Sequence, residues 1–100
     1  MRHPDVVPEA GLPESVTIYE VGPRDGLQNE KSFIPTDAKI EFVKRLIDAG
    51  LTTIEVTSFV SPKWVPQLAD AAEVLAGLDL NGPVRMPVLV PNERGLDRAL

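Results

Sequence analysis

One hundred residues, 43% hydrophobic and 25% charged, have the composition of an ordinary soluble globular segment. A complete β/α barrel needs roughly 250 residues and is excluded. The formal net charge of −5 comes without any basic stripe, which argues against nucleic acid as a partner. No apolar run approaches the ~18 residues of a membrane span, and the absence of cysteine excludes disulfides and thiolate metal sites within this stretch.

Residues 1–15, MRHPDVVPEAGLPES, carry Pro4, Pro8 and Pro13 with Asp5, Glu9 and Glu14. That pattern predicts a short extended arm rather than a leader segment, and hence a cytoplasmic protein. His3 stands in the arm without a partner pattern and reads as solvated. Residues 16–100 form the folded part. The first strand is expected at Val16–Val21, rich in β-branched and aromatic residues. Thr36 follows as a helix N-cap with Asp37 in the first turn. Ile40, Val43, Leu46 and Ile47 make the apolar stripe of that helix, and Gly50 ends it. A second strand is expected at Thr52–Thr57. The second helix starts near Pro66, buries Leu68, Ala71, Ala72 and Leu75, and ends at Gly77. The third strand spans about Arg85–Val90, weakened by Pro87, and a third helix begins after Asn92.

Strand centres near Ile18, Ile54 and Val88 recur about every 35 residues, the spacing of parallel strands joined by right-handed crossovers. A barrel and a doubly wound sheet both use this unit, and periodicity does not choose between them. Links from strand to helix, Gly22–Pro35 and Ser58–Val65, are longer than those from helix to strand. Ligands in α/β proteins sit on such loops, at the carboxyl ends of the strands.

The first loop, GPRDGLQNEK, sets Arg24 beside Asp25 between two glycines and after Pro23. Asp25 offers a hard oxygen for Mg²⁺ or Mn²⁺, and Arg24 a permanent fork of donors for developing negative charge. The same pair also fits a plain surface turn. Glu55 interrupts an otherwise apolar parallel strand, where a carboxylate is costly unless paired or metal-associated. A structural ion pair with a neighbouring Arg or Lys is the competing reading. Glu20 raises the same question. In SFVSPKWVPQ, Ser58 and Ser61 could bond a polar substrate and Lys63 an anion, while Trp64 reads either as a wall against water or as a packing anchor. Neither a phosphate-loop pattern nor a dinucleotide fingerprint is present, and one His in a tail gives no Ser-His-Asp arrangement.

Taken together, VGPRDGLQNEK (Val21–Lys31) and IEVTSFVSPKWVPQLAD (Ile54–Asp70), continued by PVLVPNERGLDRAL, resemble 3-hydroxy-3-methylglutaryl-CoA lyase from about Val16 to Leu100. The resemblance implies an α/β fold, with residues 16–100 as the N-terminal three βα units of a (β/α)₈ TIM barrel of the pyruvate-carboxyltransferase-like type. It implies a divalent-metal-dependent carbon–carbon lyase of leucine breakdown that cleaves an acyl-CoA substrate to acetyl-CoA and acetoacetate, homo-oligomeric at full length. Carried over by position, Asp25 is the metal ligand, with Glu55 close to the cation. Arg24 is the catalytic arginine on the thioester carbonyl. Gln28 and Ser58 line the substrate pocket, and Lys31 is a weaker contact for the CoA portion. The family's remaining ligands, two His and an Asn, and its loop Cys come from later strands.

Two expectations follow from the resemblance. Replacing Arg24 by Ala or Lys removes most turnover and leaves the fold intact. The 100-residue polypeptide alone is inactive and poorly folded, as a truncated product or an incomplete sequence. Alternatives from the same residues are a related condensing enzyme of the isopropylmalate or homocitrate synthase type, and a non-catalytic segment.

Overall fold

A computed structural model describes residues 10–100; most of the expected arm, including His3, Pro4 and Pro8, lies outside them. The element order is β1 (Tyr19–Glu20), a π-helical turn (Gly22–Gly26), α1 (Thr36–Asp48), β2 (Thr53–Ile54), β3 (Thr57–Ser58), a 3₁₀ turn (Pro66–Leu68), α2 (Ala71–Ala76), β4 (Val88–Leu89) and α3 (Glu93–Ala99).

All strand pairing is parallel. β1 pairs with β2 in the register Tyr19 to Thr53, and β3 with β4 in the register Thr57 to Val88. The expected second strand is therefore split between two neighbours. Its backbone is shared in alternation, as a middle strand requires. The Glu55 amide donates to the Glu20 carbonyl at 2.8 Å on one side. The Ile54 and Val56 amides donate to the Arg85 and Pro87 carbonyls, at 2.9 and 3.1 Å, on the other. Pro87 thus takes part through its carbonyl, which is why a residue without an amide hydrogen is tolerated there.

The outer strands are shorter than their composition suggests. β1 keeps two residues of the expected six, and Val16 and Ile18 are 79% and 62% exposed. Their β-branched side chains suit a strand, but no neighbour covers them among the described residues. No closed barrel forms among the described residues.

Side chains of a strand alternate between faces. Ile54 and Val56, fully buried or nearly so, turn toward the helices and pack with Val43 of α1. Around them gather Leu46, Ile47 and Leu51, with Leu75, Met86 and Val88. Each of the three central side chains contributes roughly 1.5–3 kcal/mol by leaving water. Glu55, between them in sequence, points to the opposite face.

α1 ends as its sequence dictates. Gly50 adopts φ +102°, its amide donates to the Ile47 carbonyl, and the Leu51 amide reaches back to Leu46. This double closure needs a left-handed residue, and glycine takes that conformation without strain. The start of α1 differs from expectation: Pro35 is the N-cap, and Thr36 is the first helical residue with its hydroxyl committed elsewhere. In α2 the buried residues are Ala71 and Val74, while Ala72 is exposed: Leu68, Ala71, Val74 and Leu75 share one face at helical spacing, and Ala72 lies off it. α3 opens as expected, with the Asn92 side chain accepting from the Gly95 amide at 2.8 Å.

Candidate active site

The carboxyl end of β1 runs straight into the turn Gly22–Gly26. Here the amides of Arg24, Asp25 and Gly26 all converge on the Val21 carbonyl. Pro23 is buried and fixes the turn from within. Glu20 closes it from below: its Oε1 accepts the Gly22 amide at 2.9 Å. A Cβ on Gly22 would meet the Glu20 carboxylate and the Phe42 ring, so glycine lets both pack closely on the turn. The turn thereby presents Arg24 and Asp25 at the carboxyl end of the strand pair.

Arg24 and Glu55 meet there. The guanidinium Nε donates to Glu55 Oε2 at 2.7 Å, and Tyr19 Oη donates to Oε1 of the same carboxylate at 3.2 Å. Glu55 is only 6% exposed, so its charge relies on these two donors. Arg24 Nη1 reaches Asp25 Oδ1 at 3.3 Å. Its Nη2 has no protein partner among the described residues. The Tyr19 phenol is held protonated above its ordinary range, first by partial burial, then by the charge and hydrogen bond of Glu55, against an opposing pull from Arg24.

The carboxylates of the cluster do different jobs. Each Glu55 oxygen accepts one hydrogen bond, from Arg24 or from Tyr19, so Glu55 holds Arg24 in place beside the open Asp25 carboxylate. Asp25 is about half exposed, and its second oxygen has no protein partner among the described residues. It fits a hard divalent cation as one ligand. No group of three or more His, Cys, Asp or Glu side chains suited to a metal occurs among the described residues. A complete coordination sphere needs donors from outside them.

The remaining expected residues scatter more widely. Ser58, in β3, is 1% exposed, and its hydroxyl is the one buried side-chain polar atom without a hydrogen bond among the described residues. Gln28 is half-buried on the same loop as Arg24, and Lys31 is exposed at the loop's far end. Trp64 is 83% exposed and anchors nothing. Lys63 is likewise on the surface, and Ser61 serves its own loop by accepting the Trp64 and Val65 amides at its carbonyl.

Two features escaped sequence reasoning. Tyr19 alternates onto the face of Glu55, a pairing that depends on the β1–β2 register and is invisible in either strand alone. Lys39 and Asp70 form a buried ion pair between α1 and the start of α2. The available signal was Lys39 four residues before Val43, a charge on the apolar stripe.

Parallel strands followed by helices, with a charged cluster on the loops at their carboxyl ends, define an α/β enzyme scaffold with its site in the usual place. No family model matches the chain. Its sequence is nevertheless homologous to 3-hydroxy-3-methylglutaryl-CoA lyase, a carbon–carbon lyase, over about nine-tenths of its length. The cytoplasmic lyase of Rattus norvegicus is 63% identical over 91 residues, which are 91% of this chain and 26% of the relative. Mitochondrial forms match as well. The crystal structure of hydroxymethylglutaryl-CoA lyase from Pseudomonas aeruginosa superposes with a TM-score of 0.83 at 55% identity, covering 88% of this chain and 29% of that one. The lyase of Acinetobacter baumannii, solved in complex with coenzyme A and 3-methylmalate, gives 0.79 at 43% identity, over 83% and 27%. The chain thus spans about a quarter of the length of the curated relatives it matches.

Proposed function

We propose that this chain contributes the first βα units of a (β/α)₈ barrel that cleaves 3-hydroxy-3-methylglutaryl-CoA to acetyl-CoA and acetoacetate. The observation that carries the reading is the Arg24–Glu55 pair at 2.7 Å, which leaves one edge of the guanidinium free beside the open Asp25 carboxylate. The complex of a 43%-identical relative with coenzyme A supports an acyl-CoA as the substrate. The 63%-identical rat relative is named cytoplasmic, and we assign this chain to that compartment.

Cleavage breaks the bond between the carbinol carbon and the α-carbon of the thioester. A base from outside the described residues takes the hydroxyl proton, and the carbinol oxygen becomes the ketone of acetoacetate. The bonding pair passes through the α-carbon onto the thioester oxygen as an enolate, and return of a proton to that carbon gives acetyl-CoA. Arg24, fixed through Nε, directs Nη2 at that oxygen, and charge-assisted donation grows as negative charge develops there. Glu55 and Tyr19 keep the guanidinium from rotating, so no reorganisation is needed at the moment of reaction. Asp25 would hold Mg²⁺ or Mn²⁺, which supplies Lewis-acid polarisation of substrate oxygens when bound. Ser58 offers its unsatisfied hydroxyl, and Gln28 its amide, to the polar part of the substrate, while Lys31 lies further out for the CoA portion.

The test is acetoacetate release from 3-hydroxy-3-methylglutaryl-CoA by the complete protein with Mg²⁺. Release that disappears in Asp25→Asn and Arg24→Lys supports the reading; a complete protein that releases none contradicts it.

A further inference from the structure

Outside the Arg24 cluster, Lys39 is a buried charged group with its ammonium engaged. It lies in α1 at 3% exposure, and its ammonium donates both to Asp70 Oδ1 and to the Gln67 carbonyl. The Phe33 ring stands 5.0 Å away. Asp70, itself 9% exposed, accepts a second bond from the Thr36 hydroxyl. At the surface, Gln67 Nε2 donates to the Glu30 carbonyl at 2.9 Å.

Burying an ammonium and a carboxylate costs several kcal/mol per ion before their attraction is counted. Apolar residues of similar size often hold such a place equally well, so stability alone does not explain the pair. What the pair joins is more telling. Thr36 and Lys39 begin α1, immediately after the loop that carries Arg24 and Asp25. Gln67, in the 3₁₀ turn, and Asp70, just before α2, close the segment that follows β3. The Gln67–Glu30 bond ties the same two segments a second time. Side chains of the candidate active site come from loop 22–35 and from the strand that carries Glu55 and Ser58; beyond the Arg24–Glu55 pair, this network fastens loop 22–35 to the segment that follows that strand.

We propose that Lys39 and Asp70 are positioning residues: their ion pair sets loop 22–35 against segment 59–70, which continues the strand bearing Ser58, and so steadies Arg24 relative to that strand's end. The kinetic consequence rests on the lyase reading above; the loop-ordering consequence does not.

The experiment uses the complete protein with three variants: Lys39→Met, Lys39→Met with Asp70→Leu, and Gln67→Ala. The single Lys39→Met change strands a buried carboxylate and lowers thermal stability. The apolar double variant restores stability to near the parent value. The amides of 22–35 nevertheless exchange at least ~10-fold faster, and kcat falls about 10- to 100-fold with KM changed less than twofold, the signature of misplaced rather than missing contacts. Gln67→Ala removes only a surface bond and cannot prevent folding; it gives the same changes at smaller amplitude, centred on residues 27–31. Parent-like exchange across 22–35 in the double variant overturns the proposal, whatever the activity. So does parent-like kcat in a stable double variant. Should the complete parent cleave no 3-hydroxy-3-methylglutaryl-CoA, the lyase reading fails and the exchange measurement alone decides.

Discussion

Arg24 is asked to do two things, and they can be separated. Its Nε neutralises a nearly buried carboxylate at 2.7 Å, and in the proposed reaction its free Nη2 donates to the thioester oxygen. The Glu55 side chain is 8% exposed and that of Arg24 20%. Truncating Arg24 leaves Glu55 with only the 3.2 Å bond from Tyr19. Breaking a buried pair costs about 3–5 kcal/mol, and partial access to water around Arg24 puts this pair at the lower end, about 3 kcal/mol. Loss of one preorganised donor to a developing oxyanion costs a further ~3–4 kcal/mol of transition-state stabilisation, about 10²–10³ in rate. Arg24→Ala is therefore expected to weaken the fold as well as the reaction, unlike the sequence-based expectation of an intact fold. Arg24→Met combined with Glu55→Gln removes the stranded charge and recovers most of the stability, while turnover stays at least about 10²-fold down. Denaturant unfolding and acetoacetate release, measured on the same preparations of the complete protein, separate the two roles. Recovery of turnover in the double variant would show that Arg24 is only a counter-ion for Glu55 and would refute the catalytic role.

Other expectations follow from single contacts. The Tyr19 pKa is raised in the folded state, so its stabilising contribution is full below about pH 10 and is lost as pH rises through the higher folded value. The stability difference between the parent and Tyr19→Phe should shrink above that pH, and a constant difference across pH 8–12 would contradict the Glu55 contact. A Cβ on Gly95 would meet the Phe59 carbonyl oxygen, so Gly95→Ala must shift α3 and should cost about 1–3 kcal/mol in denaturant unfolding. A cost under ~0.5 kcal/mol would mean that the first turn of α3 does not lie against the Phe59 carbonyl. The isolated 100-residue polypeptide, with Val16 and Ile18 uncovered beside β1, should show no cooperative thermal transition and release no acetoacetate from substrate and Mg²⁺. Measurable release would overturn that expectation.

Local signals in the sequence were faithful where a single element settles the matter. Gly50 and Asn92 mark one helix end and one helix start because their roles need only their own backbone. Glu55 stood out because a carboxylate in a parallel strand is anomalous wherever the strand lies. What could not be read was anything that depends on which segments become neighbours. The Tyr19–Glu55 bond requires the β1–β2 register. The split of one expected strand between two partners requires knowing that it is central. Lys39 and Asp70 are 31 residues apart and meet only once α1 and α2 are side by side. Thr36 has the composition of a cap, yet Asp70 claims its hydroxyl. Strand lengths were overestimated for a related reason: Val16 and Ile18 have strand chemistry but no partner among the described residues.

Whether a cation is held at the loop where β1 ends decides the role of Asp25 and Arg24. A crystal structure of the complete protein grown with Mg²⁺ and a non-cleavable acyl-CoA would decide it. An Asp25 carboxylate oxygen is expected at about 2.0–2.1 Å from the ion, with the free edge of Arg24 on the thioester oxygen. An ion bound elsewhere, with the Asp25 side chain turned out into solvent, would contradict it.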